Sequence, residues 1–258
     1  MRDQGIEHHE YSEDLKRAVV AARLAGDFLL RSYQGSKLVR SVTERDIKIE
    51  EDRLSEEIIL NELTKSSHAI LSEEAGELNG VTDSSNSELK WIVDPLDGTY
   101  NYLRCIPICG VSIALWKGEE PIFGVVNGFA LYEMFIGIVG IGAWCNDVPI
   151  QVGARDSPTN GIIASGFPAG FEFSDVSVDN LLKDALAYKK IRMLGSAAMS
   201  LAYLAAGRID AYQEENIMFW DVAGGLAIVK AAGGAYLKES TDTVNQYLVR
   251  ASSAKMLL

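Results

Sequence analysis

The segment from Trp220 to Ala232 is the strongest constraint on what this chain can become. It carries Val222, Ala223, Leu226, Ala227, Ile228 and Val229, so a helix built from it is apolar on nearly every face. Such a helix belongs in the middle of a protein, with other elements packed around it. An aspartate at its start, Asp221, is therefore conspicuous. Its plain reading is an N-cap or first-turn acid favoured by the helix dipole, which leaves room for a second role. The chain is long enough to enclose such a helix. Its 258 residues, 48% of them hydrophobic, make one large domain or two intimately packed halves. At this size a fold buries roughly 70–75% of the surface of its unfolded chain without disulfides or structural metals. Disorder, collagen-like repeats and mini-protein scaffolds are excluded.

Twenty-four basic residues against thirty-six acidic ones leave a net charge of −12. That balance repels a phosphate backbone and argues against a nucleic-acid polymer or a membrane surface as partner; a cation is the natural complement. Met1 to Glu10 is polar and lacks the apolar core of a secretory signal. The longest apolar stretch, Met134 to Cys145, is 12 residues interrupted by Gly137, Gly140 and Gly142, short of the about 20 a membrane helix needs. The expectation is a soluble, cytoplasmic protein, with Cys105, Cys109 and Cys145 as reduced, buried and inert thiols.

Hydrophobic spacing organises the rest. Leu15, Ala18, Val19, Ala22, Ala25 and Leu29 mark one face of a helix. Lys37 to Glu51, crowded with both signs of charge, reads as an exposed loop, and a second helix follows from about Asp52 to Lys65. A short strand near Ala69 to Ser72 precedes a polar surface excursion over 77–88, and Trp91 to Val93 form a strand that stops at Asp94-Pro95. Gly110–Trp116, Ile122–Phe129 and Glu133–Val139 then read as an antiparallel meander. After a turn-rich junction at 153–160, strands and helices alternate: 161–165, 176–187, 190–194, 197–206, 209–212 and 219–232. The fold class expected is α/β, with an α+β half over residues 1–152 and an α/β half over 153–258 closing into one unit.

Chemistry concentrates at two strand ends, Ser72-Glu73-Glu74-Ala75-Gly76 and Asp94-Pro95-Leu96-Asp97-Gly98-Thr99-Tyr100-Asn101. Pro95 fixes φ between Asp94 and Asp97, so one turn can aim two carboxylates and the Leu96 carbonyl at one point. The same run is equally an ordinary capped turn, since Asp-Pro and Asp-Gly are common turn dipeptides. Carboxylates about 4 Å apart repel by roughly 4 kcal/mol at an effective dielectric near 20, so several together demand a cation. All-oxygen donors suit Mg²⁺ or Mn²⁺ rather than zinc. His8, His9 and His68 stand apart and leave little material for a histidine-based site. Gly98 and Thr99 open a short helix whose N–H groups can meet an anion beside the metals. Two cations about 3.5–4 Å apart clamp the oxygens of an in-line displacement, and hydrolysis of a phosphate monoester is the candidate reaction.

At these residues the sequence resembles the inositol monophosphatase superfamily of Mg²⁺-dependent phosphatases, over nearly the whole chain. Asp94-Pro95-Leu96-Asp97-Gly98-Thr99-Tyr100-Asn101-Tyr102 is similar to its Asp-Pro-(Ile/Leu)-Asp-Gly-Thr-x-Asn-(Phe/Tyr) motif, and Trp220-Asp221-Val222-Ala223-Gly224 to its Trp-Asp-x-Ala-(Ala/Gly) motif. Glu73-Glu74 resembles its Gly-Glu-Glu and Gly195-Ser196-Ala197-Ala198 its Gly-(Ser/Thr)-Ala-Ala. The resemblance implies a layered αβαβα sandwich with the site between its halves, and a homodimer. It implies a first metal on Glu73, Asp94 and the Leu96 carbonyl, a second on Asp94, Asp97 and Asp221, and a third, weaker ion leaning on Glu73. By the same resemblance Thr99 and Glu73 position the attacking water, with Glu73, Asp94 and Thr99 as the catalytic set. The Gly98 and Thr99 amides grip the phosphate, while Gly195, Ser196, Ala197 and Glu214 join Asp97 on the substrate side. Glu74 and Asp52 are supporting acids.

The chain departs from the family pattern in places. Ser72 replaces the glycine before the glutamate pair. Asp52 matches the aspartate of a Thr-x-x-Asp pattern that supports the third ion, but Ile49 stands where the threonine belongs. Leu96, Tyr100 and Tyr102 resemble the archaeal-type branch that also removes the 1-phosphate of fructose 1,6-bisphosphate. The expected function is hydrolysis of a small phosphorylated polyol or sugar, inositol 1-phosphate, fructose 1,6-bisphosphate or both, with two to three Mg²⁺ ions. The alternatives are a 3′,5′-bisphosphate nucleotidase of the same superfamily and a non-catalytic divalent-metal-binding protein. Lys190 and Arg192 are open as holders of a second phosphate or as ordinary surface charges.

Overall fold

A computed structural model describes residues 9–42, 47–78, 88–167, 174, 178–179, 182–183 and 186–256. Helix α1 runs Ser12–Ser32, a little beyond its apolar stripe at each end, with Glu13 and Asp14 in its first turn and Arg31 in its last to suit the helix dipole. The charged stretch after it is not one loop. Val39–Val42 (β1) and Ile47–Ile49 (β2) pair antiparallel, strands too short to show a period. Helix α2 then covers Glu50–Leu63, starting before Asp52 because the Asp52 carboxylate accepts the Ile49 N–H at 2.7 Å and so caps the helix.

The first sheet has eight strands among the described residues: Ala69–Ser72 (β3), Gly76–Leu78 (β4), Leu89–Asp97 (β5), Gly110–Lys117 (β6), Glu120–Gly128 (β7), Glu133–Ile138 (β8), Gly142–Cys145 (β9) and Val148–Ile150 (β10). Their order is β10-β9-β8-β7-β6-β5-β3-β4, antiparallel except for the β3–β5 pair. The meander stands as expected, but β5 continues past Asp94 to Asp97 through a register shift. A strand accepts a proline at such a bulge because no ladder hydrogen bond is asked of it there. The β9–β10 hairpin, unanticipated, turns on Asn146 and Asp147, both at positive φ (47° and 67°), as a tight hairpin turn requires. Helix α3 (Thr99–Leu103) follows β5 directly.

In the second half lie Ile162–Ala164 (β11), Lys190–Arg192 (β12), helix α4 (Ala197–Ala205), Ala211–Met218 (β13), helix α5 (Phe219–Ala231), Gly234–Ser240 (β14) and Gln246–Ser253 (β15). They form a five-stranded sheet, β12-β11-β13-β15-β14, parallel across its first three strands and antiparallel across the rest. Alternation of strands and helices therefore gives way to a closing hairpin, and β13 spans 211–218 rather than 209–212. The excursion expected over 77–88 begins with β4, and residues 79–87 lie outside the described ones. So does half of the helix expected over 176–187, although its described residues are helical.

Two cores explain the layering. Leu15, Ala22, Leu29, Ile59 and Leu63 of α1 and α2 meet Trp91, Val93, Ile113 and Phe123 on one face of the large sheet. The alternate residues Ile92, Ala114, Trp116 and Phe135 meet α4, α5 and the second sheet's Tyr212, Val249 and Ala251. Period-two alternation thus places apolar side chains on both faces of one sheet, which is stable only when helices cover each. Helix α5 lies in the middle layer, as its all-round apolarity requires. It lies so close that a Cβ on Gly124 would stand 2.2 Å from the Gly224 carbonyl oxygen, so glycine is needed for the two backbones to touch. Among the described residues no helix is long and apolar enough to cross a membrane. The three cysteines are unpaired, but only Cys109 is buried; Cys145 is half-buried and Cys105 exposed.

Candidate active site

The register of β3 against β5 sets the first contact. Ser72 pairs with Val93 in the parallel ladder, so the next residues, Glu73 and Asp94, emerge side by side at the same end of the sheet. The Glu73 N–H still reaches the Val93 carbonyl at 3.3 Å. Beyond Asp94 the bulge redirects the chain before Asp97 rejoins β6 opposite Gly110. The Asp94 carboxylate accepts the Leu96 N–H at 2.9 Å and Thr99 Oγ1 donates to the Leu96 carbonyl at 3.1 Å, so the turn is locked by its own polar groups.

Helix α2 braces both acidic turns from outside. Ser55 Oγ donates to the Pro95 carbonyl at 2.8 Å, and Glu56 Oε1 accepts from Ser72 Oγ and from the Ala75 N–H. Neither residue stands out by motif. The signal is positional: Asp52, Ser55, Glu56, Ile59 and Leu63 are the buried stripe of α2, and its N-terminal half is polar where a helix facing only a core would be apolar.

Asp97 reaches across to the second half. It accepts from Ser196 Oγ and from the Ala198 and Ala197 N–H groups at 2.8 and 3.3 Å, capping α4 from a distant segment. Ser196 Oγ accepts in turn from the Met199 N–H at 3.2 Å. Asn101 completes the tie, donating to the carbonyls of Ile108 and Leu194 at 2.7 and 2.8 Å. Gly98 sits at φ +85°, where a Cβ would press on the carbonyls of Gly195 and Ile108 at 3.1 Å each; the turn and the α4 loop leave no room for a side chain.

These contacts line a cleft of about 490 Å³. Glu73, Asp94, Leu96, Asp97, Gly98 and Thr99 form its floor, with Gly195, Ser196, Ala197, Glu214 and Asp221 on the side of the second sheet. Glu74 and Asp52 are not in the lining. Glu74 instead takes Lys48 Nζ at 2.5 Å, and Asp52 holds the start of α2 with one carboxylate oxygen while its buried Oδ1 has no hydrogen-bond partner among the described residues. Lys190 and Arg192 also lie outside the lining. Asn216, which belongs to no motif, and Trp220, whose motif pointed to Asp221 alone, also line the cleft. Asn216 lies at φ +60° in the bulge between Glu214 and Ile217, a conformation asparagine tolerates better than most residues.

The acids feel one another. Burial pushes the Asp94 carboxyl well above its usual range, and the charges of Glu73, Asp97 and Asp221 push the same way. Asp221, in the first turn of α5, is raised by burial, Glu73, Asp97 and Glu214, with the Met218 backbone acting in the opposite direction. Burial lifts Asp97 to about 6 despite its hydrogen bonds to Ser196 and the α4 amides, and burial with the Asp97 charge lifts Glu214 to about 8. Asp52 rises to about 8 through burial, with Glu73 and Glu74 adding to the rise. Among the described residues no three acid, histidine or cysteine side chains stand ready as a closed metal cage. The donor chemistry nonetheless fits a hard divalent cation: carboxylate and carbonyl oxygens only, in a buried cluster whose mutual repulsion a cation relieves.

The chain is a layered α/β sandwich with an acid-lined cleft at its strand ends. The chain belongs to the inositol monophosphatase family, whose sequence model matches residues 10–257. An inositol monophosphatase of Mesembryanthemum crystallinum is 33% identical over 252 residues, 96% of this chain and 93% of that protein. A fructose-1,6-bisphosphatase/inositol-1-monophosphatase of Aquifex aeolicus is 35% identical over 234 residues, 87% and 86% of the two chains. The crystal structure of extragenic suppressor protein suhB from Bartonella henselae superposes with a TM-score of 0.84 at 34% identity, covering 94% of this chain and 95% of that one.

Proposed function

We propose that the protein is a Mg²⁺-dependent phosphomonoesterase that hydrolyses a small phosphorylated polyol or sugar. The observation that carries the reading is the meeting of Glu73, Asp94, Asp97 and Asp221, from three separate segments, on one cleft where the charges of Glu73, Asp97 and Asp221 all raise the proton affinity of Asp94. The residues assigned to metal are Glu73, Asp94, the Leu96 carbonyl, Asp97 and Asp221; two to three Mg²⁺ ions, or Mn²⁺, are the expected load. Bound there, divalent cations supply Lewis acidity toward the phosphoryl oxygens and the attacking water.

The chain's own groups do the rest. The Gly98 and Thr99 amides hold the phosphate, and Glu73 and Thr99 orient the water, with Glu73 placed to take its proton. The water oxygen bonds to phosphorus as the bond to the polyol oxygen breaks, and the departing alkoxide takes a proton from solvent water, giving alcohol and inorganic phosphate. Ser196 and Glu214 face the substrate hydroxyls. Among the described lining residues Lys48 is the one cation, and Glu74 holds it, so the cleft suits one phosphate better than two. Inositol 1-phosphate is the preferred substrate in this reading and fructose 1,6-bisphosphate the second. A cytoplasmic homodimer is the accompanying expectation.

The test is phosphate release from inositol 1-phosphate, fructose 1,6-bisphosphate and adenosine 3′,5′-bisphosphate with Mg²⁺. Inositol 1-phosphate should be turned over fastest, and Asp94→Asn should lower kcat by about 10³ or more while circular dichroism stays unchanged. Wild-type kcat in that variant would mean the metal site is misassigned. A non-catalytic role is the second reading, since the similar protein from Bartonella henselae is known as an extragenic suppressor protein. Calorimetric metal binding without phosphate release from any of the three esters would support that alternative.

A further inference from the structure

Lys48 lies on β2 beside Ile49, whose side chain is fully buried. Its ammonium reaches the cleft lining and pairs with Glu74 Oε1 at 2.5 Å, and Arg40 Nη1 stands 3.9 Å from the other Glu74 oxygen. The same ammonium is felt by Asp52, against the opposing charges of Glu73 and Glu74. Positive charge thus already resides at the end of the acid cluster formed by Glu73, Glu74 and Asp52. This is the end on which a third, weak divalent ion would lean, and here Ile49 offers no hydroxyl to it. We propose that the Lys48 ammonium is a resident cation of the cleft, occupying the electrostatic place of the third ion, so that the protein takes two divalent ions rather than three. The proposal rests on the metal-dependent reading above.

The physical reasons are charge and geometry. An ammonium tied to Glu74 neutralises part of the cluster without leaving the chain, and a divalent ion entering beside it meets like charge. An amine has no lone pair to offer a metal while protonated, so Lys48 competes with the ion rather than binding it. Lys48 is therefore a positioning residue for charge.

Isothermal titration of Mn²⁺ into the metal-stripped full chain, without substrate, tests this. Wild type and Lys48→Arg should take up two ions. Lys48→Met should take up a third, or bind its weakest ion at least about tenfold more tightly. Lys48→Gln repeats the measurement if circular dichroism shows that the methionine variant does not fold. The same number of ions with the same affinities in wild type and the neutral variants would overturn the proposal. A raised KM for inositol 1-phosphate with unchanged Mn²⁺ binding would also overturn it, by placing Lys48 on the substrate phosphate instead. No Mn²⁺ uptake by the wild type would remove the metal-dependent reading itself, a result distinguishable from the other two.

Discussion

Single residues decide whether the acidic turn can exist. Gly98 lies at φ +85° with carbonyl oxygens 3.1 Å from the place of a Cβ, so Gly98→Ala meets both backbone strain and crowding. Denaturant titration should show a loss of about 1–3 kcal/mol, and turnover should fall with it because Asp97 and Thr99 flank the strained position. Asp94→Asn should behave in the opposite sense in metal-free protein. Removing one charge from a buried cluster that already resists ionisation should leave thermal stability equal to or above wild type, and a melt in EDTA checks it. Asp97 has a double burden. It faces the cleft and also caps α4, a role no local pattern announces, since its partners are about a hundred residues away in sequence.

The elements that carry these residues are themselves anchored. The first turn of α5, which bears Asp221, is held by Trp116, whose ring meets Phe219 edge-on at 4.9 Å and whose indole N–H donates to the Ala223 carbonyl at 3.3 Å. Lys238 of β14, its side chain only 8% exposed, sets its ammonium 4.3 Å from the Phe219 ring centroid, 4.5 Å from that of Tyr247 and 5.2 Å from that of Trp116, with Glu119 at 2.7 Å. Three ring faces around a desolvated cation are worth more than an exposed ion pair. Lys238→Met, which keeps the stem and removes the charge, should cost about 1–2 kcal/mol by chemical denaturation. An unchanged midpoint would mean that the rings hold α5 without the cation.

At the scale of the whole molecule, the cluster makes stability a function of pH and metal together. Asp97 near 6, Glu214 and Asp52 near 8, and Asp94 and Asp221 well above the usual carboxylate range bind protons more tightly folded than unfolded. Their contribution is therefore present at low pH and is lost as pH rises from about 4 through 8. Melting in EDTA should move to lower temperature across that window. Mg²⁺, bound by the folded state, should restore it by an amount that grows with pH. Equal Mg²⁺ shifts at pH 5.5 and 8.5 would contradict the coupling.

Much of this was legible before any coordinates. The meander, the buried helix carrying Asp221 and the two acidic turns follow from local facts: residue periodicity, turn dipeptides and an aspartate where a helix begins. The short strands β1, β2, β4, β9 and β10 were not, because each sits in a run of charges, glycines or turn residues that masks so brief a pattern. Nor was the β14–β15 hairpin. Only the tertiary structure decided that Ser72 pairs with Val93, that Ser55 and Glu56 brace the turns, and that Asp97 caps α4. Such contacts join segments whose separate patterns are each compatible with several pairings. Packing selects one register, and that register carries the acids to a common cleft.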